Sequence, residues 1–252
     1  LPSPALTILF RDEHYVAIDK PAGLAAIPGR AESTSAIEQV ATLLSLPARG
    51  SADPRVRVVH RLDKDTSGVL LFALHAAAQR HVSHQFQNNT VTKEYLALVS
   101  GAPREDEGEI DAPLAPHQTA RERMTVFRFG RPARTRWKIE QRFRSAALLR
   151  VFPRTGKTHQ IRVHLAHVGF PLLIDPLYNP APASQAGGLY LSTFKRGYRP
   201  AADRDERPLI ARLTLHAHRL TFVHLDGSPR TLETPPPKDF RAAVQALAKF
   251  GT

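Results

Sequence analysis

The stretch His60-Arg61-Leu62-Asp63-Lys64-Asp65-Thr66-Ser67-Gly68 runs directly into Val69-Leu70-Leu71-Phe72, and what it forms decides how the chain folds. The apolar run shows no polar alternation, which predicts a central strand buried on both faces. The polar residues crowd the end of that strand, where each needs a partner once water is excluded. Asp63 therefore reads either as a turn aspartate capping nearby amides or as a reactive carboxylate, kept ionised and oriented by Arg61 and a second basic group. Taken alone, the turn is the simpler reading.

Working outward, Val56-Arg57-Val58-Val59 alternates and delivers His60 to the turn. Upstream, Leu6 to Phe10 and Tyr15 to Ile18 read as short strands around the charged turn Arg11-Asp12-Glu13-His14, and Lys20-Pro21-Ala22-Gly23-Leu24 breaks the pattern. Ser33 or Thr34 stands where it would cap a helix through Ala36, Val40, Leu43 and Leu44. Downstream, Ala76 to Gln87 reads as a helix closed by Asn88-Asn89, and Lys93 to Val99 as a strand. Thr135 to Phe143 and Ala147 to Phe152 are the clearest later strands. After the turn Arg154-Thr155-Gly156-Lys157-Thr158, a helix capped by Thr158 would carry Ile161, His164, Leu165 and Val168 on one face and stop at Gly169 and Pro171. Ala211 to Leu225 resumes strand character, Asp226-Gly227 is a hairpin turn, and Pro235-Pro236-Pro237 precedes a helix through Phe240, Val244 and Leu247. Residues 181–208, rich in Pro, Gly and Arg, read as a long basic loop. With no repeat and no linker, one α+β domain is expected.

Composition narrows the function. The 252 residues contain no cysteine, which excludes disulfides and thiolate metal sites and fits a reducing compartment. No apolar run is long enough to span a bilayer, and Leu1-Pro2-Ser3-Pro4 lacks a secretory signature, so a trimmed terminus and a cytoplasmic location are expected. A formal charge of +12 favours a polyanionic partner, nucleic acid ahead of an anionic membrane surface. Arginine-rich composition inherited from a GC-rich genome is the bland explanation of the same charge.

Three other groups are candidates for chemistry. Arg162 leaves its helix from the flank of the apolar face; it reads as a solvated arginine or as an inward-reaching counter-charge. Tyr95, in an apolar strand, reads as core packing or as a face on which a nucleobase stacks. His159, His164, His167, His216 and His218 suggest a metal, but no His-Glu-x-x-His pattern appears and His159 and His164 fall on nearly opposite helix faces. Arg154 to Thr158 contains a Gly-Lys-Thr without the glycine spacing of a phosphate loop.

In combination, HRLDKDTSGVLLFA at residues 60 to 73, KEYLALV at 93 to 99 and RTGKTHQIRVHLAHVGFPLLID at 154 to 175 resemble the RluA-type family of RNA pseudouridine synthases. Lys20-Pro21-Ala22-Gly23-Leu24 and Leu215-His216-Ala217 resemble two further signatures of that family. The resemblance runs in order from about residue 8 to 222, and three long motifs outweigh the local readings of Asp63, Tyr95 and Arg162.

The resemblance implies a single pseudouridine synthase catalytic domain, residues 1–252, with a central mixed, largely antiparallel sheet flanked by helices and loops. It implies isomerisation of a uridine already within ribosomal or transfer RNA, with no cofactor and no metal. Asp63 would be the essential carboxylate, attacking C1′ or removing the 2′ hydrogen to give a glycal. Tyr95 would stack on the extracted base, Arg162 would pair with Asp63, and Arg61 would fill the gap left by the flipped nucleotide. Arg154, Lys157, His159 and Gln160 would contact RNA. No protein partner and no membrane are implied, and a monomer is expected.

There are departures from the family pattern. Ala26-Ile27-Pro28 stands where a histidine often precedes the proline, Gly156-Lys157 are extra within the Arg-Thr-His-Gln run, and Asn179 follows Tyr178 where a glycine is common. No N-terminal S4-type domain, such as some members carry, is expected. The competing readings are a catalytically inactive RNA-binding protein of the same fold and a metal-dependent phosphodiesterase using the histidines.

Overall fold

A strand with every residue buried must have neighbours on both edges and cover on both faces, and Ser67–Ala73 (β4) meets that requirement. The structure, a computed structural model, describes residues 6–29, 34–47, 55–181, 187–195, 197–198 and 205–251. These divide into two compact units, residues 1–94 with 216–235 and residues 95–215 with 236–252.

In the first unit, β1 (Thr7–Arg11) pairs antiparallel with β2 (Tyr15–Lys20), which pairs antiparallel with β4. The expected strand at Val56 to Val59 is reduced to Arg57–Val58 (β3), paired with the far end of β4. On the other edge β4 runs parallel to β11 (Leu215–Val223), with His216 opposite Ser67 and Ala217 opposite Gly68. β11 turns at Gly227, φ 85°, into β12 (Pro229–Glu233). Helix α2 (Ala76–Gln87) lays Ala78 and Val82 on a core that includes Tyr15, Val69, Leu71 and Phe222. Its Gln85 amide exchanges two bonds with the Val223 backbone, at 2.7 and 2.8 Å, so a buried polar side chain is satisfied by a strand end. The helix stops as expected, with Asn89 taking a positive φ of 56°. Helix α1 (Ala36–Leu43) begins after Ser35, one residue beyond Thr34 and two beyond Ser33, the caps expected from sequence, and Ser35 Oγ bonds Glu38 rather than a backbone amide.

In the second unit, β5 (Thr92–Ser100), from Tyr95 onward, pairs antiparallel with β10 (Ala146–Pro153), which pairs with β9 (Arg134–Arg142), which pairs with β6 (Glu107–Asp111). β7 (Leu114–Pro116) and β8 (Met124–Val126) form a separate hairpin. Helix α3 (Gln160–His167) packs Ile161 and Leu165 on Ala97, Val99, Leu149 and Val151. Its start corrects the sequence expectation. His159, not Thr158, is the N-cap residue, and it sits in the left-handed region at φ 54°. Val168, expected on the buried face, lies past the helix end and is 38% exposed. Helix α4 (Lys238–Phe250) buries Phe240, Ala243 and Leu247 against Leu98, Leu148 and Ile210, and is clamped by the Arg212 guanidinium on Asp239 at 2.7 and 2.8 Å.

The architecture is therefore α+β; of the strand pairs described above, all are antiparallel but that of β4 with β11. No helix among the described residues is long and apolar enough to cross a membrane. The first residues, Ser33, residues 48–54 and much of the expected loop at 181–208 lie outside the described residues. Within the latter, Leu191–Thr193 forms one turn of 3-10 helix.

Candidate active site

Asp63 sits in a turn pinned at both ends. On the near side His60 stacks on Phe86, ring centroids 4.8 Å apart, and its Nε2 accepts the Leu71 N–H at 3.0 Å. Burial, with Lys93 nearby, pulls its pKa from 6.5 to about 3, so the ring is a neutral peg. Leu62 is buried, while Arg61, Lys64 and Asp65 are exposed and Asp63 lies between. The Thr66 N–H closes the turn on the Asp63 carbonyl at 3.1 Å. On the far side Ser67 Oγ bonds His216 Nδ1 at 3.0 Å, and His216 Nε2 meets the Thr234 carbonyl at 3.1 Å. A carbonyl only accepts, so Nε2 carries the proton and Ser67 donates to Nδ1. Next to it Gly68, φ +116°, lets β4 approach β11 so closely that a Cβ would stand 2.1 Å from the Ala217 oxygen.

A residue to which the sequence assigns no role holds the turn from below. Lys20, fully buried at the end of β2, donates to the carbonyls of Pro21 at 2.9 Å, Leu24 at 2.7 Å and Lys64 at 2.8 Å. The Lys64 carbonyl also accepts the Gly23 N–H at 3.0 Å. A buried ammonium is tolerated only when its donors are matched, and here matching them ties the Lys20 to Leu24 loop to the residue after Asp63. The available signal is a lysine closing an otherwise buried strand just before Pro and Gly.

The second unit holds Tyr95 and Arg162. Tyr95 is half-buried on β5, opposite Val151, and packs against the core that α3 covers. Arg162 is buried, and within its unit it makes a two-pronged pair with Asp175, Nε to Oδ2 and Nη2 to Oδ1 both at 2.8 Å. Asp175, also buried, accepts the Leu177 and Tyr178 N–H groups at 3.0 and 3.2 Å. The guanidinium carbon lies 5.0 Å from the Tyr178 ring centroid. Arg162 is thus no solvated surface arginine; its plane is fixed by a carboxylate and a ring. Burial raises the Tyr178 pKa, keeping the hydroxyl protonated, and it takes the Met124 N–H at 2.8 Å and meets His159 Nδ1 at 2.9 Å. That last contact draws His159 into its left-handed conformation.

Of the four residues expected to contact RNA near this helix, Arg154 is exposed, Lys157 and His159 are partly so, and Gln160 is buried. The Gln160 amide is committed to the turn: Oε1 accepts Thr155 Oγ1 at 2.7 Å and Lys157 N at 3.0 Å, and Nε2 donates to the Arg134 carbonyl and to Thr135 Oγ1, each at 3.0 Å. The extra residues Gly156-Lys157 are accommodated by this clasp. The chain of bonds continues from Thr135 Oγ1 to His164 Nδ1 at 2.8 Å, and from His164 Nε2 to the Ala112 carbonyl at 2.9 Å. Burial lowers the His164 pKa, so this histidine is a neutral link in a structural network. Asn179 braces the segment after α3, its Nδ2 donating to Ser100 Oγ and to the Leu172 and Leu173 carbonyls at 3.0, 2.8 and 3.2 Å. Among the described residues no group of three or more His, Cys, Asp or Glu could hold a metal ion.

Comparison with known proteins gives this geometry a context. A family model described as RNA pseudouridylate synthase matches residues 14–167. The chain is 39% identical over 246 residues to the ribosomal large subunit pseudouridine synthase D of Nitrosomonas europaea, covering 96% of this chain and 65% of that protein. The protein of that name from Xanthomonas campestris is 38% identical over 244 residues, covering 96% and 69%. The chain thus spans about two thirds of the length of these relatives. Among solved structures, human RNA pseudouridylate synthase domain containing 4 superposes with a TM-score of 0.69 at 25% identity, over 96% of this chain and 93% of that one. Human RNA pseudouridylate synthase domain containing 1 gives 0.70 at 23% identity, over 92% and 84%.

Proposed function

The chain belongs to the RluA-type family of RNA pseudouridylate synthases, and from that premise we propose that it isomerises uridine to pseudouridine within ribosomal RNA, with Asp63 as the essential carboxylate. The observation that carries the assignment of Asp63 is the pinned turn. His60, Lys20 and the Ser67–His216 pair fix the backbone around a carboxylate that is neither buried nor at the outermost surface. Catalysis on a sugar carbon needs a carboxylate held in place rather than free to swing. The names of the two bacterial relatives support ribosomal over transfer RNA.

In the reaction the N1–C1′ bond breaks, the uracil turns, and C5 bonds to C1′. The C5 proton leaves and N1 gains one, so no other reagent is consumed. Asp63 supplies the carboxylate at the sugar, either adding to C1′ or taking the 2′ hydrogen. Tyr95 offers its ring to the extracted base, and Arg162, its plane set by Asp175, supplies the counter-charge. Arg61, exposed beside Asp63, fills the gap left in the RNA, and Arg154, Lys157 and His159 contact phosphates, while Gln160 shapes their turn. The two units act as one catalytic domain and the protein as a cytoplasmic monomer.

The test is tritium release from C5-labelled uridine RNA. Asp63→Asn abolishes release while RNA affinity and the unfolding midpoint hold, and retained release would remove Asp63 from this role. Tyr95→Phe keeps the stacking face and Tyr95→Ala loses it. Wild-type protein that binds RNA without release would be an inactive binding protein instead. Mapping modified uridines in cells with and without the protein decides between ribosomal and transfer RNA.

A further inference from the structure

The hairpin of β7 and β8 continues into a turn whose side chains the fold leaves outside. Phe127 and Phe129 are 42% and 75% exposed, with ring centroids 5.7 Å apart in an edge-to-face pair. The Arg128 guanidinium carbon lies 4.5 Å from the Phe129 centroid. This exposure belongs to a rigid element. Phe127 N donates to the Pro113 carbonyl at 2.9 Å, Gly130 N to the Phe127 carbonyl at 2.7 Å, and Leu114 and Arg131 exchange bonds of 2.9 and 2.8 Å. A Cβ on Gly130 would stand 2.6 Å from the Leu114 backbone, so the turn is pressed against the hairpin. Two large rings fixed in water in this way form a surface that suits a partner.

Charge identifies the partner. Residues 117–136 hold six arginines against one glutamate. Arg134 and Arg136 are balanced by Glu109 and Asp111, and Arg123 lies over Tyr178. Among the described residues, Arg121, Arg128 and Arg131 face no carboxylate. Protein interfaces also favour arginine and aromatic residues, but three arginines without carboxylates around one pair of rings call for a partner that brings several negative charges of its own. Rings framed by unbalanced arginines match the alternation of base and phosphate in a single strand.

We propose that the Phe127-Arg128-Phe129 turn is a stacking platform for unpaired nucleotides of the substrate RNA, outside the modified uridine, with Arg121, Arg128 and Arg131 taking the adjacent phosphates. This rests on RNA being the substrate. It assigns recognition to a hairpin that the sequence does not single out.

The experiment measures binding of the full chain to a single-stranded oligonucleotide and to a duplex of equal length across a salt series. Phe129→Ala weakens single-strand binding about 5- to 100-fold, the equivalent of one or two lost stacks, with an unchanged unfolding midpoint and salt slope. Phe129→Trp restores affinity, and its exposed indole is quenched by RNA over the constant background of the buried Trp137, which is 8% exposed. Arg128→Gln lowers the dependence of log K on log salt by about 0.7. Unchanged affinity in Phe129→Ala, or no quenching in Phe129→Trp, overturns the platform and leaves the surface to a protein partner. Tritium release on the same preparations separates the two claims. Binding through Phe129 without release removes the isomerase and keeps the platform, and release with an unchanged KM in Phe129→Ala does the reverse.

Discussion

Lys20 Nζ donates to the Lys64 carbonyl at 2.8 Å, across 44 residues of chain, and so a buried ammonium on one strand sets the backbone position of the turn that carries Asp63. Replacing it by methionine keeps the stem and removes three donors. The Lys64 carbonyl retains the Gly23 N–H, while those of Pro21 and Leu24 lose the ammonium that each accepts from. Lys20→Met is expected to lower stability by about 2–4 kcal/mol and turnover by about 10- to 100-fold, as for a misplacement of about 1 Å. The KM for RNA should change little, since Lys20 is a positioning residue. Steady-state tritium release resolves kcat from KM, and a loss confined to KM would mean that Lys20 acts on RNA instead.

Arg162 and Asp175 form a desolvated pair, and such pairs are far more sensitive to losing one member than to losing both. Asp175→Asn should destabilise the protein by about 3–5 kcal/mol, because the guanidinium stays buried without its carboxylate. At this chain length that corresponds to a fall of about 10 °C in the unfolding midpoint. The double variant Arg162→Met with Asp175→Leu should regain much of that stability without regaining activity. Calorimetry of the three proteins checks this, and additive losses would show that the two residues do not act as a pair.

The elements legible in the sequence are those whose signal is local. An unbroken apolar run announces β4, Asn88-Asn89 the end of α2, and Asp226-Gly227 the last hairpin. The start of α3 is not legible in this way, because Thr158 is the better capping residue by type. Nothing in the adjacent residues announces that His159 is held at positive φ by Tyr178, 19 positions away. Lys20 is only half legible for a related reason: its place at the end of a buried strand is visible, but its acceptors are backbone carbonyls, which every residue has, so nothing in sequence marks which ones it holds. Asp175 stands at the end of the RTGKTHQIRVHLAHVGFPLLID motif, but its bond to Arg162 depends on how the chain from Gly169 to Ile174 returns to the helix. In the turn before α3, Gln160 is expected to contact RNA and is instead enclosed by its own loop.

Gly68 is a position where backbone and packing demands coincide. At φ +116° a side chain is strained, and a methyl group would meet the Ala217 oxygen at 2.1 Å, which cannot move without breaking the parallel pairing of β4 with β11. Gly68→Ala should therefore cost about 4 kcal/mol or more and yield little soluble protein. Gly187→Ala is the control. It also replaces a glycine at positive φ, 74°, but among the described residues nothing lies within 4 Å of the new methyl group, so backbone strain alone should cost about 1–2 kcal/mol. Urea unfolding of both variants measures the difference, and equal losses would refute the close approach of the two strands.

The neutral histidines give stability a defined pH dependence. His60 has its pKa pulled from 6.5 to about 3 by burial and by Lys93, and burial also lowers those of His75 and His164. In the unfolded chain each takes up a proton near pH 6.5. The folded protein refuses the His60 proton until about pH 3, so the unfolded state binds more protons throughout that window and stability falls as the pH is lowered from 6.5. For His60 alone the slope reaches about 1.4 kcal/mol per pH unit. Asp12 and Asp239 act lower. Burial would raise their pKa values, but the Tyr15 and His14 amides around Asp12 and Arg212 beside Asp239 outweigh it, so their contributions vanish only below about pH 4. Urea unfolding at pH 7, 6 and 5 therefore isolates the histidines. His60→Gln, whose carbonyl can accept the Leu71 N–H but cannot be protonated, should be less stable at pH 7 and show a shallower slope below it. A slope unchanged in that variant would place the titrating group elsewhere.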